Sequence, residues 1–354
     1  HIQLVFGAAL LILGLVSFLF RVTPAENTVQ AFSFTGTKQS YAQWVQGNHG
    51  RFNINDDDGK VSPLVNDAYQ WIVLKDTAAK KRYHDNLMKL ISDGYQFPDN
   101  GQRQLMDVME SYLVMRDQNT FTLGEQGVVE NWFIDSAKEL DDMGSTKFQG
   151  VGAGMAAVLG YVLYSTNIPN HPFGTEKSGE VRRWWGYATT GQSFDTEWSP
   201  TENSAHYMNY ANMVALRIAI YVNKDAGPTI LDSSTGKQNF KKLLEWMFKL
   251  YPYNGNNLAY GSSYGRDHIR PKFNILMAGS HFMKGYDDEL AANCKWLATE
   301  MFRYSIQNNK EVEWTNHPAG RFEVNPMYIW WYLDENQQAR ALDISRFGSV
   351  AITR

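Results

Sequence analysis

From Val65 onward the chain follows a helical period: apolar residues recur at intervals of three and four, in runs cut by strong breakers. The period predicts helices over 64–75, 78–93, 102–117, 127–142, 150–165, 203–222, 238–250, 272–283, 287–307 and 325–333. Between them lie "DGYQFPDNG", "NIPNHPFG", "KDAGP" and "YPYNGNN", whose glycines and prolines break a helix. Alternation of the kind a half-buried strand needs is sparse before the tail "SVAITR". No motif returns closely enough to mark a sequence repeat. Helices of this length in consecutive antiparallel pairs form a bundle, a solenoid or a closed toroid of hairpins. The segment "GVGAGMAAVLGYVLY" is rich in Gly and Ala, so it can pack closely on both sides, which favours the inner ring of a two-layered toroid. The expected fold is therefore mainly α, an incomplete (α/α) toroid or barrel with little β structure.

The 354 residues are 44% hydrophobic and 14% aromatic, enough to bury a sizeable core. The 11 Trp and 19 Tyr exceed what a core alone asks for, and they suit a cleft that stacks on flat ligand faces. A net charge of −4 gives no electrostatic footprint for nucleic acid. The single cysteine, Cys294, excludes an intrachain disulfide and a cysteine-based metal site, and it reads as a small buried apolar residue.

Leu4 to Phe20 is uncharged throughout and is followed by Arg21. Apolarity on every face is unusual for a core helix, so residues 1–20 read as an export signal or a membrane anchor. The expected location is then secreted, periplasmic or membrane-anchored, with the remaining domain outside the cytoplasmic membrane. Residues 21–64 read as irregular, 65–335 as the helical domain, and 336–354 as a tail. The acidic run "NINDDDGKVSP" contains a D-x-D-G fragment, but Val65 stands where a calcium loop needs a bidentate Glu, so it reads as a solvated turn. "GVGAGMAA" contains G-x-G without a preceding strand or a following G-K-[ST], which leaves close helix packing as its explanation.

Candidate chemistry gathers in four places. In "SPTENSAHYMNYANMVALR", Thr201 or Asn203 can cap a helix start. Beyond it His206, Tyr210, Met213 and Arg217 share one helical face, while Asn203, Tyr207 and Tyr210 lie on an adjacent one. The ordinary account of this stretch is a capped helix, with Glu202 paired to His206 and the tyrosines packed. "AYGSSYGRDHIRP" sets Tyr260, Tyr264, Arg266, His268 and Arg270 in a glycine-bearing loop. "EWTNHPAGRFEVNP" sets His317, Arg321 and Glu323 in another, and "EVRRWWGYA" joins Arg182 and Arg183 to Trp184 and Trp185. Guanidinium groups bind carboxylates bidentately and indoles stack on pyranose faces, so the combination suits an acidic sugar.

On these pieces the chain resembles the (α/α)-toroid polysaccharide lyases, the group that holds alginate lyases and heparinase-type enzymes. There an Asn or His near the start of an inner helix precedes a catalytic Tyr by about one helical hairpin. "ENSAHY" matches the first element, and Tyr260 and Tyr264 follow His206 by 54 and 58 residues. The "NNH" form of some alginate lyases is absent, because His206 stands three residues after Asn203. By organisation the resemblance spans roughly residues 65–335. It implies β-elimination on a uronic acid, with an acidic polysaccharide as partner and neither metal nor cofactor.

That reaction must neutralise the carboxylate, remove the C5 proton, hold the enolate-like charge and protonate the oxygen leaving C4. The resemblance makes Asn203, His206, Tyr207, Tyr260, Tyr264 and Arg266 the catalytic candidates. Asn203 and Arg266 would bind the carboxylate, His206 or a tyrosine would be the base, and Tyr260 or Tyr264 the acid or base. Arg182, Arg183, Trp184, Trp185, Trp198, Glu202, Tyr210, His268, His317 and Arg321 are the substrate-binding candidates. Two other classes stay open. An (α/α)-barrel glycoside hydrolase would place two carboxylates across the scissile bond, for which Asp195, Glu197 and Glu202 are eligible. A non-enzymatic surface protein would use the same aromatic and arginine clusters for recognition alone.

Overall fold

The computed structural model describes residues 35–47, 59–97, 102–147, 192–193, 197–198, 212, 216–217, 219–220, 229–250, 269–307 and 327–341. All belong to one compact unit, Phe34–Arg354. The helices are α1 (Lys38–Gly47), α2 (Ser62–Leu74), α3 (Thr77–Ser92), α4 (Gln102–Arg116), α5 (Leu123–Lys147), α6 (Ser234–Leu250), α7 (Ile269–Phe282), α8 (Asp288–Gln307) and α9 (Met327–Tyr332). The strands β1 (Gln192–Ser193) and β2 (Glu197–Trp198) pair antiparallel, Gln192 opposite Trp198. The described structure is mainly α, as the periodicity predicts. None of its helices is long and apolar enough to cross a membrane. The apolar segment 1–20, the predicted helix at 150–165 and the tail beyond 341 lie outside the described residues.

Capping sets the helix boundaries. Pro63 occupies the first turn of α2, where a missing N–H costs nothing, and the helix stops at Lys75, whose left-handed φ of 58° sends its N–H back to the Trp71 carbonyl. Asp76 caps α3 by accepting the Ala78 N–H at 2.9 Å. A reciprocal box opens α5: the Thr122 N–H donates to Glu125 at 2.8 Å, and the Glu125 N–H donates to the Thr122 hydroxyl at 3.3 Å. That box starts α5 four residues before the periodic pattern begins. Likewise α6 starts at Ser234 rather than 238, because the Ser233 hydroxyl accepts the Gly236 N–H at 3.0 Å.

Helix α1 lies in the stretch read as irregular. Its ten residues are too few to display a period. The Thr37 hydroxyl accepts the Ser40 N–H, and Tyr41 and Val45, one turn apart, are buried. Tyr41 hydrogen-bonds the Tyr69 hydroxyl of α2 and meets Phe302 of α8 edge-on at 5.9 Å. Tertiary contact, rather than local pattern, holds this helix.

Neighbouring helices pack as hairpins: α2 on α3, α4 on α5, and α7 on α8, with α2 also against α4 and α7 against α6 and α9. The burial pattern sorts them. In α3 only one stripe is buried, Ala79, Tyr83, Leu87 and Leu90, the spacing of an outer helix. In α4 and α7 every residue of 104–112 and 273–280 is buried, as for helices enclosed on all sides. After α9 the segment 333–341 returns over α8 and α7. The Lys295 ammonium donates to the Asp334 and Gln337 carbonyls at 2.5 Å each, and the Asn293 amide donates to the Arg340 carbonyl at 2.9 Å. Burial, against the pull of Asp334 and Glu335, holds the Lys295 pKa below its ordinary value.

Two substitutions test this account. A Cβ on Gly236 would sit 1.8 Å from the Ile230 carbonyl oxygen, so Gly236→Ala is expected to lower unfolding free energy by about 2 kcal/mol in denaturant titration. His84 bridges Asp85 at 3.0 Å and the capping Glu125 at 3.1 Å; burial opposes protonation, but the two carboxylates raise the pKa above the ordinary 6.5. Its stabilisation is therefore complete below pH 6.5 and fades as pH rises through the higher folded value. The Tm difference from His84→Gln, about 2 °C, should be present at mildly acidic pH and vanish in alkaline buffer.

Candidate functional site

Helix α4 is enclosed, yet it carries Gln104, Asp107, Glu110 and Ser111 inward. Ser111 is satisfied locally, donating to the Val108 carbonyl at 2.6 Å and meeting the Tyr83 hydroxyl at 3.0 Å. The carboxylates need a charge. Arg217 supplies it: its Nη2 donates to Asp107 Oδ1 and, at 3.1 Å, to Glu110 Oε2. The side chains of Arg217, Asp107 and Glu110 retain 6%, 2% and 0% of their surface in water. In so dry a place an unpaired charge would cost several kcal/mol. Among the described residues, both Asp107 Oδ2 and Arg217 Nε are buried without a hydrogen-bond partner, so the cluster keeps one spare acceptor and one spare donor.

From this centre a polar line runs outward. Arg217 belongs to a helical stretch that includes Asn212, Leu216, Ala219 and Ile220, and the Ala219 carbonyl accepts the Leu231 N–H at 2.9 Å. That bond brings Asp232, in the turn before α6, to the same region. Tyr332, at the end of α9, feels both ends of the line. Burial first, then the negative fields of Glu110 and Asp232, raise its pKa and keep the phenol protonated. His281, at the end of α7, packs on the Tyr332 ring with centroids 4.9 Å apart, and Phe282 closes the group at 4.9 Å from His281 and 5.4 Å from Tyr332. His281 is exposed, but the loss of water around it lowers its pKa despite the opposing pull of Asp232 and Asp334. A neutral imidazole thus lies beside a protonated phenol at the surface, with a buried Arg–carboxylate cluster behind them.

Of the residues singled out from the sequence, Trp198 is in β2, which lies against α6. Arg217 is in the buried cluster, a structural use of one member of the predicted helical face. The other candidates, Asn203, His206, Tyr207, Tyr260, Tyr264 and Arg266 with Arg182, Arg183, Trp184, Trp185, Glu202, Tyr210, His268, His317 and Arg321, lie outside the described residues, as do Asp195 and Glu323; Arg270 is in the first turn of α7, and Glu197 is in β2. Asp107, Glu110, Asp232, His281 and Tyr332 do not stand out in the sequence as chemistry. The available signal was polarity inside an enclosed helix: "QLMDVMES" interrupts its apolar run at 104, 107, 110 and 111. No family model, curated protein or solved structure matches the chain.

The Arg217 cluster makes a direct prediction. Arg217→Met strands two buried carboxylates and is expected to cost about 3–5 kcal/mol of stability. Adding Asp107→Asn to the same chain should recover part of that loss, as read from chemical denaturation of both variants.

Proposed function

We propose that the protein is a polysaccharide lyase that cleaves a uronic-acid-containing polymer by β-elimination, on helical hairpins closed as an incomplete (α/α) toroid. The reading is supported first by residue chemistry: the clusters are rich in His, Tyr and Arg, which suits carboxylate neutralisation and proton transfer better than a pair of carboxylates would. It is supported next by the alternation of enclosed helices (α4, α7) with the one-sided α3, which is what an inner and an outer layer require.

The observation that carries the reading is the seat of Arg217. Arg217, which the sequence places on the same predicted helix as Asn203, His206 and Tyr207, is bound to two buried carboxylates of an enclosed helix. A site with acid and base on one sugar ring needs such a rigid support, because small misplacements cost large factors in rate. The carboxylates Asp107 and Glu110 are not a hydrolase pair: they lie one turn apart on one helix and share a single guanidinium.

The test is an ultraviolet screen of the full chain on alginate, glucuronan, hyaluronan and a heparin-like polymer, following the conjugated C4–C5 double bond that elimination creates. Absorbing product is expected from at least one polymer, with Tyr260→Phe or Tyr264→Phe reducing kcat by about 10²–10⁴-fold while the polymer still binds. Reducing ends without that absorbance would make the protein a hydrolase. Binding without any product would make it a glycan-recognition protein.

A further inference from the structure

The last described segment, Asp334 to Ala341, reads "DENQQARA" and contains no large apolar side chain. Leu333, just before it, is buried, whereas the segment itself is half-buried or exposed throughout. The hydrophobic effect that holds the helices together therefore contributes almost nothing to holding this strap. Polar bonds hold it instead. The Asp334 and Gln337 carbonyls accept from Lys295, and the Arg340 and Ala341 carbonyls accept from the Asn293 amide at 2.9 and 3.3 Å. The Arg340 N–H donates to the Ala292 carbonyl at 3.2 Å, and the Gln337 amide donates to the Ser280 carbonyl of α7 at 3.1 Å. Two ion pairs at the surface, Lys284 with Asp334 at 2.6 Å and Arg340 with Glu289 at 3.3 Å, add to the attachment. The strap also reaches α1, where Glu335 Oε1 accepts the Lys38 N–H at 2.6 Å.

Each of these bonds is exchanged for one to water when the strap lifts, so its net contribution is small. Other features favour lifting outright. Gln337 Oε1 is buried without a hydrogen-bond partner. Lys295 is buried with two carbonyls as its acceptors, and no carboxylate pairs with it among the described residues. Water would satisfy the first group and solvate the second. Release also returns the conformational entropy spent on ordering 334–341. The helices beneath are held differently. Asn293 and Lys295 lie under the strap, but Cys294 between them faces α6 and α7, where an added Cβ on Gly279 would meet its Sγ and a Leu244 methyl. We propose that residues 334–341 form a releasable strap, which lifts as a unit while the helices stay packed. In lifting it exposes the Lys295 ammonium and the Asn293 amide on α8 and removes the Glu335 carboxylate from the first turn of α1. Closed, its carbonyls are the internal occupants of a donor-bearing face, and they fasten the last described segment to the first described helix.

The test is hydrogen exchange of the full chain, read by mass spectrometry through a urea series below the unfolding transition. Amides of 334–341 are expected to exchange about 10²-fold faster than those of 104–112, relative to their intrinsic rates, and without the urea dependence of global opening. Lys295→Met removes both carbonyl bonds and keeps the aliphatic stem, so exchange of 334–341 should rise about tenfold with 104–112 unchanged. Glu335→Ala, a surface change, should speed exchange of the Lys38 amide about fivefold. A chemical readout on the unaltered chain separates lifting from unfolding: reductive methylation of Lys295 and alkylation of Cys294 in one native sample, each located by peptide mapping. Lys295 is expected to be modified in chains whose Cys294 is still intact. Equal exchange and equal urea dependence in 334–341 and 104–112 overturn the strap. So does modification of Lys295 only in chains whose Cys294 has also reacted, or unchanged exchange of 334–341 in Lys295→Met.

Discussion

Placing a guanidinium between two carboxylates in the dry interior is the constraint on which the rest of the described structure turns. Asp107 and Glu110 are one turn apart on a helix with no exposed face, so neither can turn to water when its partner is absent. Arg217 must therefore be delivered to them, and delivering it fixes more than one side chain. It sets the rotation of its own helical stretch, which through Ala219 holds Leu231 and so the turn that opens α6. Buried ion pairs contribute modestly to net stability against apolar replacements, but they discriminate strongly against misregistered packings. Here the discrimination acts between segments 110 positions apart in the chain.

The same cluster shapes the electrostatics of the surface. Glu110 contributes to holding the Tyr332 phenol protonated, and Tyr332 supplies the face on which His281 rests. The state of this phenol is thus set partly by a carboxylate that no solvent reaches.

Much of the helical pattern was legible in the sequence, since periodicity reports the buried stripe of each element. Helices α2, α3, α4, α7 and α8 stand within a few residues of the predicted spans. Thr122 with Glu125, and Ser233 with Gly236, extend helices backward into segments that look like turns. Helix α1 was illegible because two buried residues make no period, and because its partners, Tyr69 and Phe302, are remote in sequence. The candidate residues divide in a similar way. Arg217 could be placed on a helical face, but not its partners, because nothing local pairs it with Asp107 and Glu110. His281 and Tyr332 meet only when α7 and α9 pack, an event with no signature in either segment alone.

At the crowded crossing of α6, α7 and α8, Gly279 lies so near its neighbours that an added Cβ would come within 2.9 Å of both Cys294 Sγ and a Leu244 methyl. Cys294 has no surface in contact with water, and burial raises its thiol pKa well above the ordinary value. A thiol reagent in solution consequently meets neither an accessible sulfur nor a thiolate while the three helices stay together. The chain thus carries one built-in chemical clock, since its single cysteine reacts only at the rate at which this crossing opens.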